Sequence, residues 1–212
     1  MKKIILTQRL VENDSYKETR ETLDIQYAKL IKEAGFLPIV LPYEVDFRDY
    51  FFEIDIDGII LTGGNDLNSL NPNALSEQRD EYENSLIKYG VDNHIPILGI
   101  CRGLQVIAAY FGSTFKKVTD HVAVYHKLNV NKNSKYADSL TQLSEVNSFH
   151  NFAVEKLGND LICSATSYDG TIEAMEHEKY KIFAQMWHSE RENSFEKNEV
   201  ALIHEFFNGK HI

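Results

Sequence analysis

A strand that leads directly into a helix at a cysteine constrains this chain more than any other feature of its sequence. Residues 95–100 are apolar and suit a buried strand, and residues 103–111 have the pattern of an amphipathic helix. Cys101 lies at the junction, with Gly99 and Gly103 two residues before and after it. This G-x-C-x-G spacing matches the nucleophile elbow, a tight strand-to-helix turn in which small residues relieve crowding. The spacing therefore predicts a nucleophilic thiol at the end of a sheet strand.

The position of Cys101 also favours its reactive form. The thiol would face the N-terminal end of the helix that begins at Arg102, where the helix dipole and the arginine charge both favour a thiolate. Most free cysteines are small buried residues of the core, but the two glycines and the change from strand to helix favour a functional role. The second cysteine, Cys163, lies far along the chain. One disulfide is possible, but a reduced setting is more natural, so we expect a cytoplasmic protein.

A cysteine nucleophile needs a base, and the base needs a group that orients it. His188 follows the apolar run 182–186, and residues i and i+2 of an extended chain point to the same side. Glu190 can therefore accept a hydrogen bond from one ring nitrogen of His188 while the other nitrogen faces Cys101. A lone histidine is usually structural, so His188 is favoured among the 8 histidines only as the partner of Cys101.

The other histidines have no spacing typical of metal ligands. His121 and His126 are five residues apart, and His177 and His204 are isolated. We therefore expect no metal site and no cofactor.

Two glycines, Gly63 and Gly64, follow the predicted strand 58–61. A Gly-Gly turn lets backbone N–H groups point at a developing oxyanion, although a simple turn accounts for a glycine pair equally well. The turn is not a phosphate-binding loop, because the chain contains no G-x-x-x-x-G-K-[ST] motif.

Strand and helix patterns alternate over the first half of the chain. The predicted strands are 2–6, 37–41, 58–61 and 95–100, and the predicted helices are 16–34, 77–92 and 103–111. This alternation predicts an α/β fold with a parallel sheet covered by helices on both faces.

The pattern changes after about residue 114. Short strands are predicted at 122–130, 160–167, 171–176 and 180–187, a hairpin turn at 131–136 and a closing helix at 196–207. These strands predict an antiparallel or mixed extension of the sheet. No repeat or long linker divides the chain, so we expect a single domain over residues 1–212.

Composition excludes several classes of function. The net charge is −10, and a shortage of basic residues argues against binding to nucleic acid or to an anionic membrane surface. The apolar run at residues 4–6 is too short for a signal peptide, and no run approaches the roughly 18 residues of a spanning helix.

Segments along nearly the whole chain resemble the class I glutamine amidotransferase family, which uses a Cys-His-Glu triad. Within it the chain is most similar to the free-standing γ-glutamyl hydrolase branch of cysteine peptidases. The GICRG and WHxE motifs together are highly specific for this resemblance. It implies a flavodoxin-like three-layer sandwich with a mostly parallel central sheet and an antiparallel extension. The matching segments are residues 7–9, 63–66, 79–80 with Glu83, 99–105, 146–150, 169–176 and 185–190.

The resemblance implies a catalytic role for five residues. Cys101 would form a γ-glutamyl thioester, His188 would act as general base and acid, and Glu190 would orient His188. The backbone amides of Gly64 and Arg102 would form the oxyanion hole.

The resemblance also implies a substrate site. Gln105 would help to hold the glutamyl group, and the backbone of His150, Asn151 and Phe152 would bind its amino and carboxylate groups. Glu173 would lie in a strand that lines the acceptor side.

Three features depart from the family pattern. Ser189 replaces a proline in the HPE motif, and Asn151 replaces a glycine, although asparagine tolerates a positive φ. The loop 67–75 is shorter and altered, so the leaving group is open: a nucleotide phosphoramidate, γ-aminobutyrate, a polyamine or poly-γ-glutamate.

Together these features predict an amidohydrolase that cleaves a γ-glutamyl amide bond in a small molecule and releases glutamate. One alternative is a glutaminase subunit that supplies ammonia to a separate synthetase, and another is a γ-glutamyl-γ-aminobutyrate hydrolase. A non-catalytic binding module is the least favoured interpretation. Whether the chain forms a homodimer or binds a synthetase partner stays open.

Overall fold

An eight-stranded mixed sheet forms the centre of the structure, a computed structural model that describes residues 1–13, 15–192 and 194–209. In order across the sheet, the strands are Leu37–Val40 (β4), Lys3–Leu6 (β1), Gly58–Leu61 (β5), Ile97–Ile100 (β6), Ile182–Gln185 (β14), Ile172–His177 (β13), Leu161–Thr166 (β12) and Asn129–Val130 (β9). The first five of these pair in parallel, and the last three continue the sheet antiparallel. The sheet is therefore mostly parallel with an antiparallel extension, as the sequence predicts.

Helices cover both faces of the sheet and give three layers. Ile25–Glu33 (α1) and Lys197–Asn208 (α6) share one apolar core with Ile4 and Leu6 of β1. Ala74–Asp92 (α3) and Arg102–Tyr110 (α4) share the other core with Ile5, because alternate residues of a strand point to opposite faces. Two shorter helices complete the set, Phe47–Glu53 (α2) and Ala137–Thr141 (α5). Within the described ranges, no helix is both long enough and apolar enough to cross a membrane.

In the part of the chain that the structure describes, three two-stranded antiparallel ribbons lie outside the central sheet. They pair Arg9–Glu12 (β2) with Thr19–Thr22 (β3), Thr114–Lys117 (β7) with Phe152–Lys156 (β11), and Val122–His126 (β8) with Val146–Phe149 (β10). The β2–β3 ribbon follows directly after β1, so it leaves the sheet at the carboxyl end of a parallel strand.

The helix predicted at 16–34 is wrong over nearly its first half, residues 16–24. Thr19–Thr22 forms a strand instead, and α1 begins only at Ile25, after Asp24 caps it by accepting a hydrogen bond from the backbone N–H of Gln26. The buried residues of α1 are Tyr27, Leu30 and Ile31. The residues before α1 have no comparable buried apolar face, so burial does not favour a helix there.

The predicted strand 122–130 and hairpin turn 131–136 are also corrected. The first part is β8, which pairs with β10, whereas Asn129–Val130 pairs with β12 in the central sheet. Residues 131–136 lead into α5 rather than into a returning strand, because Ser134 Oγ and Lys135 N bind the buried carboxylate of Glu176 at 2.6 and 3.1 Å. Strands β2, β7, β10 and β11 and helices α2 and α5 were not predicted.

Candidate active site

The backbone at Cys101 forms the predicted elbow. Cys101 separates β6 from α4 and adopts φ 53° and ψ −105°, a left-handed conformation that non-glycine residues rarely occupy. A Cβ on Gly103 would lie 2.0 Å from the carbonyl oxygen of Leu61, and one on Gly99 would lie 2.7 Å from the carbonyl oxygen of Gly103. Both glycines are therefore needed for β6 and α4 to approach this closely.

His188 lies beside Cys101 at the end of the neighbouring strand. Its Nδ1 donates to Glu190 Oε1 at 2.6 Å, which leaves Nε2 for the thiol, and all three side chains are buried. Burial lowers the pKa of His188, but the negative charge of Cys101 and the contact with Glu190 together raise it to about 10. The imidazole is therefore protonated at neutral pH, the form that can donate a proton.

Two residues outside the predicted site position His188 and the turn at Gly63. Asn147 makes two hydrogen bonds of 2.8 Å with His188, donating to its carbonyl oxygen and accepting from its N–H. The hydroxyl of Tyr27 accepts from the Gly63 N–H at 3.2 Å; burial and the charge of Glu190 raise its pKa well above the usual value. Sequence patterns assigned Tyr27 only to an apolar helix face, and Asn147 only to a segment that matches the family.

Ser189, where the resemblance implied a proline, lies in an intact turn. Ser189–Arg191 forms a single turn of 3-10 helix, and Ser189 Oγ accepts a hydrogen bond from Gln185 Nε2 at 2.9 Å. Glu190 therefore keeps its position next to His188.

The predicted oxyanion-hole groups lie at the ends of β5 and β6. Gly64 has a φ of 105°, and Arg102 is the first residue of α4, where the backbone N–H has no carbonyl partner within the helix. The turn is anchored by Arg79, which is fully buried and donates to the carbonyl oxygens of Thr62 and Gly63 at 2.8 and 3.1 Å. These contacts hold the backbone of the turn.

The side chain of Arg102 does not have the role that the sequence suggested for it. It is buried against the carboxylates of Glu83 and Asp80, and Glu83 also pairs with Arg79 at 3.0 Å. Its charge is therefore neutralised within α3 and α4. The positive charge beside Cys101 comes from His188 instead.

The residues predicted to bind the glutamyl group are only partly open to a ligand. Gln105 Nε2 and His150 Nδ1 both donate to the carbonyl oxygen of Phe152, at 3.0 and 3.2 Å. Asn151 is exposed and does not have a positive φ, so the backbone conformation at this position does not require asparagine or glycine. Glu173 is fully buried on β13 rather than lining an open wall.

Glu173 instead lies with two histidines in a cluster that the sequence did not predict. Ligand atoms of His121, His150 and Glu173 all lie within 4.8 Å of one another. The expectation of no metal site rested on spacing within one segment, whereas these residues come from three separate segments.

A cavity of about 270 Å³ opens beside the triad, between the β2–β3 ribbon and α1. Two arginines, Arg9 and Arg191, lie in its wall, and the guanidinium of Arg191 stacks 4.5 Å from the ring centre of Phe149. The lining residues are Arg9, Thr22, Leu23, Asp24, Tyr27, Gly63, Gly64, His188, Glu190 and Arg191.

Similarity to known proteins extends over nearly the whole chain. Residues 4–190 match the profile of the peptidase C26 family. The chain is 42% identical over 205 residues to the γ-glutamyl-CDP-amidate hydrolase of Campylobacter jejuni, an alignment that covers 95% of this chain and 96% of that protein.

Two solved structures share the fold. A GMP synthase protein of Thermoplasma acidophilum superposes with a TM-score of 0.74 at 22% identity, over 98% of this chain and 92% of that one. A glutamine amidotransferase of Thermotoga maritima superposes with a TM-score of 0.63 at 15% identity, over 94% and 81% of the two chains. At these identities the likeness concerns the fold alone.

Proposed function

The chain belongs to the peptidase C26 family, and from that premise we propose that it is an amidohydrolase that cleaves a γ-glutamyl amide bond and releases glutamate. The observation that carries this proposal is the arrangement of Cys101, His188 and Glu190 where β6 and β14 end. The 42% identity to a γ-glutamyl-CDP-amidate hydrolase supports the same reaction.

The reaction begins with attack of Cys101 Sγ on the γ-carbonyl carbon. The oxyanion that forms accepts hydrogen bonds from the backbone N–H groups of Gly64 and Arg102. The imidazolium of His188 then gives its proton to the leaving nitrogen, the C–N bond breaks, and a γ-glutamyl thioester remains on Cys101. Neutral His188 next takes a proton from water, whose oxygen attacks the thioester, and glutamate leaves as the thiolate re-forms.

The charges around the cavity favour an anionic leaving group. Arg9 and Arg191 lie in the cavity wall, and their guanidinium groups would attract phosphate or carboxylate groups. The two carboxylates in the same wall, Asp24 and Glu190, accept hydrogen bonds from the Gln26 N–H and from His188. We propose γ-glutamyl-CDP-amidate as the substrate, in capsule phosphoramidate biosynthesis, because it is the substrate that the relative's name states. In the alternative substrate, γ-glutamyl-γ-aminobutyrate, the leaving group is also anionic, so this compound is included in the test below.

The test measures glutamate release from γ-glutamyl-CDP-amidate, γ-glutamyl-γ-aminobutyrate and glutamine in parallel. We expect turnover of the first substrate, with a loss of at least about 10⁴-fold in Cys101→Ala. Cys163→Ala removes the other, half-buried thiol and should retain activity within about twofold. Turnover that survives in Cys101→Ala would reject the mechanism. Release from glutamine alone, and only after a synthetase is added, would instead favour a glutaminase that serves a synthetase partner.

A second comparison tests the leaving-group assignment separately from the chemistry. Arg9→Gln should raise the KM for γ-glutamyl-CDP-amidate about tenfold through loss of one charge-assisted contact. The KM for glutamine should change little. Arg20→Gln changes an exposed arginine on the same ribbon, which pairs with Glu18, and serves as the control. Equal effects of Arg9→Gln on both substrates would argue against a phosphate contact.

A further inference from the structure

Three buried side chains from separate segments meet beside the turn between β10 and β11. His121 lies between β7 and β8, His150 follows β10, and Glu173 lies on β13; they are 0%, 4% and 0% exposed. The mechanism above places none of them in contact with the reacting atoms. Their chemistry therefore needs its own explanation.

Hydrogen bonds on the outer side of the two histidines determine which nitrogen faces inward. His121 Nε2 donates to Asp169 Oδ2 at 3.1 Å, and His150 Nδ1 donates to the carbonyl oxygen of Phe152 at 3.2 Å. A neutral ring with its proton on the outer nitrogen presents a lone pair from the inner one. A carboxylate and a backbone carbonyl are the usual outer partners of metal-bound histidines.

The inner nitrogens both face one oxygen of Glu173. His121 Nδ1 lies 3.3 Å and His150 Nε2 lies 3.4 Å from Glu173 Oε1. Among the described residues, no donor makes a well-formed hydrogen bond to either oxygen of this carboxylate or to His150 Nε2. Two lone pairs and a buried negative charge at these distances repel one another unless a cation or additional protons lie among them.

We propose that His121 Nδ1, His150 Nε2 and Glu173 Oε1 bind one divalent transition-metal ion of the zinc class. Two imidazoles and one carboxylate are a known protein ligand set for zinc. At metal–ligand distances of about 2.0–2.1 Å, ligand atoms at tetrahedral corners are about 3.3–3.4 Å apart, which agrees with the two separations from Glu173 Oε1. The two histidine nitrogens lie within 4.8 Å of each other, and binding of one ion to both requires them to be about 3.4 Å apart. His126 Nε2 lies 3.1 Å from His121 Nδ1.

The bound ion would connect three segments near the active site. It would join the residues before β8, the turn after β10, and β13 of the central sheet. The turn carries Phe152, whose carbonyl oxygen holds Gln105 on α4. Metal binding would therefore stabilise the folded chain and fix the turn that packs against the nucleophile-bearing helix.

The competing arrangement contains protons instead of a metal. A doubly protonated His150 would donate to Glu173, and His126 would donate to His121 Nδ1. This arrangement accounts for the same distances but predicts no stoichiometric metal, so metal content distinguishes the two.

The experiment is done in the Cys101→Ala background, because a thiolate next to a histidine binds zinc by itself. The full chain is stripped with chelator, titrated with Zn²⁺ or Co²⁺, and desalted. Metal content is measured by mass spectrometry, cobalt coordination by visible absorption, and Tm by thermal unfolding. We expect one ion per chain, the visible bands of a low-symmetry Co²⁺ site, and a higher Tm with metal.

The variants separate a specific site from adventitious binding. Glu173→Gln keeps the shape of the side chain and adds N–H donors for the two lone pairs, so it should fold but hold less than about a fifth of an ion. Asp169→Asn weakens the outer partner of His121 and should reduce metal affinity about 10–100-fold. The control His94→Gln removes an exposed histidine and should still bind one ion. No stoichiometric metal in the background protein, or equal metal in Glu173→Gln, would overturn the proposal.

Discussion

The proposed reaction needs His188 to be protonated, so the pKa of His188 sets the upper pH limit of activity. Burial lowers the pKa of His188, but Cys101 and Glu190 raise it to about 10. Since a raised histidine pKa keeps the ring charged through neutral pH, kcat/KM should stay level up to about pH 9 and fall as the pH rises through about 10. A pH–rate profile of glutamate release measures this limb directly.

Glu190→Gln tests the cause of that limb. Without the carboxylate, the imidazolium loses one source of stabilisation, so the alkaline limb should move to lower pH by about one unit. The rate at neutral pH should fall about 10²–10⁴-fold, because the ring is no longer held in its reactive orientation. An unchanged limb in the variant would show that Glu190 does not set the charge of His188.

Asn147 is expected to act by positioning His188. Its two hydrogen bonds of 2.8 Å fix the backbone on both sides of the imidazole. Asn147→Ala should lower kcat about 10–100-fold with little change in KM, since a small displacement of a catalytic group is costly. Asn129→Ala, which removes a side-chain hydrogen bond to the carbonyl oxygen of Ser167, is the matched control. A KM effect without a kcat effect would place Asn147 in substrate binding instead.

Local motifs make some of these residues predictable and leave others hidden. Cys101 is marked by its two glycines, and His188 and Glu190 are marked by their i, i+2 spacing after a strand. Asn147 and Tyr27 contact the triad only through the folded chain, from positions 41 and 163 residues away from His188 and Glu190. Their roles are tertiary, so no spacing in the sequence indicates them.

At the scale of elements, the crossing of α4 over β5 depends on Gly103. A Cβ there would lie 2.0 Å from the carbonyl oxygen of Leu61, and neither backbone can move independently. Gly103→Ala should therefore destabilise the protein by about 1–3 kcal/mol and displace Cys101, lowering kcat. Chemical denaturation and glutamate release measure the two effects.

Gly90→Ala is the control for that prediction. Gly90 is also helical, but its added Cβ would meet the side-chain ends of Ile97 and Ile59 at 2.8 and 3.0 Å, which can shift. Alanine also favours a helix by about 1 kcal/mol over glycine. The control should therefore cost less stability than Gly103→Ala and leave kcat unchanged. Equal losses would show that glycine at position 103 is not required by the close backbone contact.

The strands and helices that the sequence could predict are those whose apolar residues form a continuous or periodic pattern. Strands β5 and β6 and helix α6 have continuous or periodic apolar residues, and each was placed within three residues of its observed ends. Only one residue of the β2–β3 ribbon, Leu10, is buried, and half are exposed, such as Thr19 and Arg20, so pairing rather than burial decides its conformation. Pairing between β7 and β11 joins segments far apart in the chain, which local patterns do not reveal.

At the scale of the whole molecule, α6 brings a buried carboxyl group, Glu199, against the region behind the triad. Burial raises the pKa of Glu199; contact with Ser189 lowers it, and the charges of Glu196, Glu192 and Glu190 raise it further, to about 7. The ordinary value for glutamate is 4.5. The folded chain therefore holds a proton on Glu199 at pH values where the unfolded chain has released it.

This difference makes the free energy of unfolding depend on pH in a defined direction. A carboxyl pKa that is raised by folding contributes stability that is fully present below the unfolded value and is lost as the pH rises through about 7. Between pH 6 and 8.5 the wild-type protein should lose on the order of 1 kcal/mol from this group, after a larger loss between pH 4.5 and 6. Glu199→Gln keeps a neutral side chain of the same shape. The free energy of unfolding of this variant should depend less on pH, and it should be higher than that of wild type at pH 8.5.

Glu205→Gln changes an exposed glutamate on the same helix and controls for the loss of one negative charge from a chain with net charge −10. Chemical denaturation across this pH range measures all three proteins. Parallel curves for wild type and Glu199→Gln would mean that Glu199 is ionised in the folded state and that the pH dependence arises from the net charge.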